Sequence, residues 1–415
     1  MASTPYPFSG RRLGWAFLAL NLPQLSQTLL SFLVAPFINP EDLGVVALGA
    51  GVVLFFENLR DAGLQEALMR EKNLNPALLN SVGWFLFIGG LLWAFILWKT
   101  APLIADLLKT PPLREILPVL ALMIPLEGLN RVPLALLMRR FEYQKLLKVQ
   151  LFPLIISLPV TLYLARTGWG YWSLIWGGLL AAIVRTLAFS FIWRLGRKEI
   201  SFSALQKALF FGVHILWQVF LAWGQVNILR LLVGRFLGVN VLGLLSLSIS
   251  LTLRPLSFLS FPLLKIALPY FARFQDDPAA LKRSYWHLFK RAVPAALALA
   301  FVLGVGLPPL IPKIFGPQWK EAAPLVRFFA LVFALQSPGW LTGELFKALG
   351  RPGVISRLMS FQICLNILVY ALVIPRGLKA FLIAFFILEI SFSLFNFVLA
   401  QLVFRDKEII FLRWR

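Results

Sequence analysis

Negative charge, sulfur and histidine are all scarce in this chain. Of 415 residues, 18 are Asp or Glu, two are His (His214 and His287) and one is Cys (Cys364). A single thiol excludes an intrachain disulfide and a CxxC zinc or redox pair, and two histidines exclude a His-rich metal centre. No GxxxxGK run followed by Ser or Thr occurs, so this chain carries no P-loop. The gaps between apolar runs are too short for a soluble catalytic domain with paired carboxylates or a nucleophile triad. No catalytic residue, no cofactor and no metal site is therefore expected, and the chain reads as a non-enzyme.

Charge of both signs is thin. Charged residues make up 14% of the chain, against about 25% in a soluble domain, and apolar types make up 59%, against about 45–50%. The mean hydropathy of +0.81 points the same way. An ordinary soluble enzyme and a disordered chain are both disfavoured. What charge there is leans positive: 40 Lys and Arg give a net of +22. In a soluble protein that excess would suggest nucleic acid. In a membrane protein it marks cytoplasmic loops.

Apolar runs of the length a bilayer requires recur twelve times. They cover roughly 13–36, 43–60, 77–98, 115–138, 149–166, 171–193, 208–230, 237–259, 291–312, 324–346, 354–374 and 380–403. The first follows two arginines but is too long for a signal h-region and lacks an A-x-A site, so it reads as a retained helix. The longest loop is expected near 260–290. With the N-terminus placed in the cytoplasm, 27 of the 40 cations fall on cytoplasmic segments and 11 on the opposite side, while Arg131 and Arg185 lie within spans. This bias predicts both termini inside and an even number of spans. Topology accounts for most of the net charge, and no nucleic-acid partner is needed.

The segment PFINPEDLGVVAL (36–48) resembles RFLGVNVLGLLSL (235–247) at an offset of 199, matching Phe37 to Phe236, Leu43 to Leu242, Gly44 to Gly243 and Leu48 to Leu247. Each links the first two spans of an expected six-span half, so both halves have the same orientation. The expected fold is all-α and polytopic, with about 12 helices in two six-helix lobes related by a pseudo-twofold along the membrane normal. The N-terminal lobe is residues 1–195, a cytoplasmic linker is 196–207, and the C-terminal lobe is 208–415.

Polar groups within spans are costly and face protein or a wet cavity. Arg185 and Arg254 lie deep and have no acid at i±3 or i±4. Arg60 and Arg131 lie nearer the cytoplasmic end, where they could also snorkel. Guanidinium groups suit phosphate or carboxylate. The four arginines are the candidate cationic cavity for an anionic head group. Asn21, Gln24, Gln27, Gln218, Gln225 and Asn366 are candidate cavity lining, with interhelical hydrogen bonding as the plainer alternative. Glu127 and Glu389 are candidates for ion coupling. Glu127 stands i,i+4 to Arg131 and reads equally as its structural partner. The 14 Trp, for example Trp169, Trp172 and Trp319, read mostly as interface belts.

Several segments carry a resemblance. NPEDLGVVAL with DAGLQEALMR (39–70), RRFEYQKL (139–146), GWGYWSLIWG (168–177), NILRLLVGRFLGVNVLG (227–243), PLLKIALPYFARFQDD (262–277) and IFGPQWKEAAPLVRFFAL (314–331) follow one another in order along the chain. Together they resemble the polysaccharide transporter family of oligosaccharide flippases, in the multidrug/oligosaccharidyl-lipid/polysaccharide exporter superfamily. Leu229 and Leu245 depart from the family pattern, which often has an acid and a Tyr there. The resemblance implies a MATE-like fold and alternating access. It also implies movement of an undecaprenyl-pyrophosphate-linked oligosaccharide across the bacterial plasma membrane. A polysaccharide polymerase and glycosyltransferases would then be partners. The competing expectation is a drug or metabolite/cation antiporter of the same fold, which needs a deep carboxylate. A membrane glycosyltransferase, polymerase or ligase is a third reading, disfavoured by the short outer loops.

Overall fold

A computed structural model describes residues 10–71, 74–196 and 200–405. The chain is all-α, with no strand among the described residues. The helices are α1 (Gly10–Val34), α2 (Pro40–Asp61), α3 (Leu64–Arg70), α4 (Pro76–Leu107), α5 (Leu113–Ala121), α6 (Met123–Arg139), α7 (Tyr143–Arg166) and α8 (Tyr171–Ser190). They continue as α9 (Phe202–Leu237), α10 (Val239–Ala272), α11 (Pro278–Gly306), α12 (Ile311–Ile314), α13 (Ala322–Leu335), α14 (Trp340–Ala348), α15 (Pro352–Val373) and α16 (Leu378–Arg405). Eleven stretches are long and apolar enough to cross a membrane, and a bent pair, Gly14–Pro23 with Leu25–Phe37, makes a twelfth. The 46° bend follows from Pro23, which has no N–H to give and whose ring crowds the preceding turn. The protein is a multi-pass membrane protein, and its spans overlap the twelve apolar runs.

Two spans are broken where the hydropathy is continuous. The fourth divides at Leu122 into α5 and α6, and the tenth divides into α13 and α14 around the short turn Ser337–Gly339. Conversely, α10 runs unbroken through Arg254–Pro255. The expected long loop near 260–290 shrinks to the few residues between Ala272 and Pro278. The amphipathic flanks simply continue as helix, and Asp277 caps α11 by accepting from Ala279 N (2.9 Å) and Ala280 N (3.0 Å). At about 1.5 Å per residue the 34-residue α10 is about 51 Å long, so it must extend past a hydrocarbon core of about 30 Å.

The chain forms two compact units, one ending at Asn240 and the other beginning at Val241. In the first, α9 packs on α2, α3 and α4, with Trp223 Nε1 donating to Gly51 O (3.1 Å). The segment preceding α9 is strapped to α4. Gly196 N donates to Asn80 Oδ1 (3.1 Å), Trp84 Nε1 to Gly196 O (2.8 Å) and Ser201 N to Ser81 Oγ (2.8 Å). In the second unit a buried cluster of Ala267, Phe271, Leu281, Tyr285, Leu341, Leu345, Ala348 and Ala400 joins α10, α11, α14 and α16. Trp319, expected at an interface, is fully enclosed instead.

The start of α2 shows why two of the family-like segments go together. Asp42 accepts from Asn39 N with one carboxylate oxygen (3.0 Å) and from Tyr171 N with the other (3.0 Å). One side chain thus closes the first turn of α2 and anchors the first turn of α8. Gly170 allows this because its φ is +51° and a Cβ there would lie 2.8 Å from the Asp42 carboxylate. Asp42→Ala is expected to cost about 1.5–3 kcal/mol, the range for a hydrogen bond to a charged group. A lowered thermal midpoint of the detergent-purified protein would register the loss.

Candidate functional site

The site grows from the end of α2. The chain turns there through two left-handed residues, Ala62 (φ 43°) and Gly63 (φ 69°), and re-enters helix at Leu64. Glycine takes this conformation without penalty, whereas alanine holds it at a cost. The turn leaves Arg60 and Asp61 pointing into the first unit and brings Gln65 back beside them.

Arg60 is completely enclosed. Its Nε donates to Asp61 Oδ1 (2.9 Å), its Nη2 donates to the same oxygen, and its Nη1 donates to the Ile124 carbonyl at the start of α6. Arg131, on α6, places Nε 2.7 Å from the other Asp61 oxygen, an electrostatic contact off the hydrogen-bond axis. Its Nη1 donates to Gln65 Oε1 (3.1 Å). Asp61 therefore bridges two guanidinium groups, one on each oxygen. One turn earlier on α2, Glu57 is buried within the field of Arg60, Arg131, Asp61 and Glu127.

Glu127 and Arg185 complete the cluster. Arg185 Nη1 on α8 donates to Glu127 Oε1 (2.7 Å), and Asn130 Nδ2 donates to Glu127 Oε2 (3.3 Å). The expected i,i+4 pair of Glu127 with Arg131 does not form, because both residues reach across to other helices. Two glycines permit this proximity. A Cβ at Gly90 would lie 2.7 Å from Pro125 Cα, and one at Gly128 would lie 2.7 Å from Leu86 O, so α4 and α6 touch backbone to backbone.

The outcome is a cluster of three arginines and three carboxylates: Arg60, Arg131 and Arg185 with Glu57, Asp61 and Glu127. Such pairing is what the membrane interior demands, because an isolated charge there costs several kcal/mol. The arginines differ in access. The Arg60 side chain is 0% exposed, that of Arg131 27% and that of Arg185 37%. Arg60 has spent its donors on protein and acts on the site by fixing Asp61. The side chains of Arg131 and Arg185 are partly exposed.

A second polar centre lies in the other unit, at the break in the tenth span. Gln336 Nε2 on the C-terminal edge of α13 donates to Glu389 Oε2 (2.7 Å), and Asn366 Nδ2 on α15 donates to Glu389 Oε1 (3.3 Å). The Tyr370 hydroxyl faces the same carboxyl. Among the described residues no charged group acts on Glu389. Ser393, one turn further along α16, ties the broken span by donating to Gln336 O (2.9 Å) and accepting from Gly339 N (3.2 Å).

The remaining expected site residues are dispersed. Arg254 sits half-buried on α10, in the second unit. Asn21 is buried and donates to Phe17 O of its own helix (2.7 Å). Gln27 is exposed. The side chains of Gln24, Gln218 and Gln225 lie outside the described residues. Asn366 belongs with Glu389, as above. Glu57, Asp61, Gln65, Gln336 and Tyr370 are site residues that were not singled out beforehand. The spacing of Glu57, Asp61 and Gln65 at four-residue intervals was a readable signal for the first three. The latter two required knowledge of which helices pack together.

Comparison with known proteins follows this geometry. The pattern of the polysaccharide biosynthesis protein family matches residues 33–324. The chain is 23% identical over 340 residues to the lipopolysaccharide biosynthesis protein WzxC of Escherichia coli K12, covering 79% of this chain and 68% of that protein. It is 24% identical over 350 residues to the succinoglycan biosynthesis transport protein ExoT of Rhizobium meliloti, covering 83% and 70%. In fold it is similar to the lipid II flippase MurJ in an inward closed conformation. The TM-score is 0.73 at 13% identity, over 94% of this chain and 87% of that one. It is also similar to an inward-facing multidrug resistance MATE family transporter of the MOP superfamily, with a TM-score of 0.69 at 15% identity, over 91% and 94%. The arginine–carboxylate cluster lies within the matched stretch, and the match spans well over half the sequence: this chain belongs to the polysaccharide biosynthesis protein family.

Proposed function

We propose that this protein is a flippase that carries an undecaprenyl-diphosphate-linked oligosaccharide from the inner to the outer leaflet of the bacterial plasma membrane. The observation that carries the reading is the group of arginines within the spans of a chain of this family, of which Arg131 and Arg185 have partly exposed side chains. Arginine offers paired donors to a phosphoryl group, and a buried site strengthens them. Arg60 positions Asp61 and through it Arg131. The lobes 1–195 and 208–415, joined by 196–207, would exchange access to the two sides, with both termini cytoplasmic, a reading the 27 to 11 cation bias supports. A polysaccharide polymerase and glycosyltransferases would act on the product and supply the substrate. The reading assigns no chemical step to the chain itself. In a strain whose own flippase gene is deleted, expression of the protein should restore surface glycan. Accumulation of lipid-linked glycan on the cytoplasmic face despite good expression would count against it.

One observation favours a second reading. Glu389 is a carboxylate held by two amides, the feature a drug or metabolite/cation antiporter requires. In the flippase reading the same residue couples transport to an ion gradient, with Glu127 as the counterpart in the first lobe. Glu389→Gln is expected to leave insertion intact and to reduce gradient-driven glycan export about tenfold, as for loss of a proton-transfer group, which contributes about 10²–10⁴-fold when fully rate-determining. Loss of drug efflux with glycan export unchanged would instead support the antiporter.

A further inference from the structure

A groove of about 730 Å³ runs between α11 and α13 in the second unit, away from both polar centres. One face of each helix lines it. Leu297 and Phe301 stand four residues apart on α11, and Arg327 and Leu331 stand four residues apart on α13. The bottom of the groove is made of small residues. Ala300 is buried, and a Cβ at Gly304 would lie 3.3 Å from Ala330 Cβ, so the two helices run nearly in contact there. Leu297, Phe301 and Leu331 are exposed on either side. In a multi-pass chain such an apolar concave face belongs against hydrocarbon rather than water. Arg327 breaks the pattern. It is exposed, in the second turn of the tenth span, five residues after the span begins at Ala322. Among the described residues it has no ion pair and no side-chain hydrogen bond. The neighbouring charges in sequence, Lys320 and Glu321, cancel. The span arginines of the first unit take their anions from the protein; Arg327 takes none.

We infer that the groove binds one anionic diacyl phospholipid of the phosphatidylglycerol type, with its phosphodiester on Arg327 and one acyl chain lying between α11 and α13. The order of groups along the groove fits a lipid. Arg327 stands near the end of the span, level with Gly304 close to the end of α11: a Cβ at Gly304 would lie 4.0 Å from Arg327 Cα. From there the lining is apolar toward the middle of the span, as far as Ala334, about 10 Å further along α13. A guanidinium suits a phosphodiester through paired donors, and at the edge of hydrocarbon it gains from an anion that the bilayer supplies. The charge also selects the head group. A zwitterionic lipid brings an ammonium that competes with Arg327 for the phosphate and is repelled by it, whereas phosphatidylglycerol brings net negative charge alone. With both termini cytoplasmic, the Arg327 end of the span faces the outer leaflet. The leaflet rests on that reading of topology; the ligand does not.

Native mass spectrometry of the detergent-purified full chain reads the site directly. The protein is titrated with phosphatidylglycerol and, separately, with phosphatidylethanolamine carrying the same acyl chains. Wild type is expected to hold one phosphatidylglycerol about fivefold more tightly than phosphatidylethanolamine, the size of one cation acting at a membrane surface. Arg327→Ala should weaken phosphatidylglycerol about fivefold and abolish the preference. Ala298→Trp fills the groove from an exposed lining position and should weaken both lipids. Arg376→Ala, which removes an exposed cation outside the groove, should change neither. A second measurement needs no variant. Phosphatidylglycerol with a photoreactive acyl chain should crosslink to wild-type peptides covering residues 297–305 and 327–334. Equal affinity of the two lipids for wild type, an unchanged preference in folded Arg327→Ala, or crosslinks that fall elsewhere would each overturn the assignment. So would a dimer that seats a second copy of the chain on this face and excludes the lipid. None of these measurements involves glycan transport, so their failure leaves the flippase reading standing.

Discussion

Arg60→Leu is expected to remove most of the folded protein from the membrane. The leucine fits the apolar surroundings, but it strands Asp61 beside one remaining arginine. It also leaves Glu57 with less compensation and takes the donor away from the Ile124 carbonyl. Breaking a buried ion pair by removing one partner costs about 3–5 kcal/mol, because the partner stays behind as an uncompensated charge. That is a large part of the stability of an ordinary domain. Arg60→Lys keeps the charge but offers a single point donor in place of the fork that serves both Asp61 and the carbonyl, so an intermediate loss is expected. The double substitution Arg60→Leu with Asp61→Leu removes both charges and should recover part of the yield, at the cost of freeing Arg131. Fluorescence-detected size exclusion across these variants gives the ranking. Wild-type yield and thermal midpoint for Arg60→Leu would show that the enclosed arginine does not organise the site.

The second large effect concerns transport. Arg131→Ala and Arg185→Ala should each lower glycan export by about 10–100-fold, the equivalent of about 1.5–3 kcal/mol for a charge-assisted contact to a phosphoryl group. Folding should survive better than in Arg60→Leu, because both side chains are partly exposed whereas that of Arg60 is fully enclosed. Pairing Arg185→Ala with Glu127→Gln sharpens the interpretation. That double variant removes an ion pair without changing the net charge, so it should fold normally and still fail to export. Recovery of export in the double variant would mean that Arg185 matters only as a partner for Glu127.

Much of the architecture was legible from hydropathy. Eleven spans and the bent pair overlap the twelve apolar runs, because spacing and length are properties of the chain alone, though the ninth span, Pro278–Gly306, starts well before the expected 291–312. The breaks at Leu122 and at Ser337–Gly339 were not legible, since apolar content continues straight through them. The site was half legible. Arg60, Arg131 and Arg185 could be picked out as charges at depth, but their state of pairing could not. Arg185 has no acid within a helical turn of itself, and its partner comes from a residue 58 positions away. Glu127 has an arginine at i+4 and does not use it. The packing of α4 on α6 through Gly90 and Gly128 decides which helices meet, and no spacing rule within one helix reports that. The same holds for Glu389, whose amide partners come from two other helices.

Function in this account comes down to whether lipid-linked diphosphate glycans cross the membrane through this chain. The direct measurement is a reconstituted one. Fluorescent undecaprenyl-diphosphate oligosaccharide is incorporated in both leaflets of proteoliposomes, and the fraction protected from a membrane-impermeant quencher is followed over time. Wild-type protein is expected to render the inner-leaflet label accessible, and Arg185→Ala to hold it near the protein-free rate. A protected fraction that stays constant in wild-type vesicles, with folded protein verified in the same preparation, would contradict the account.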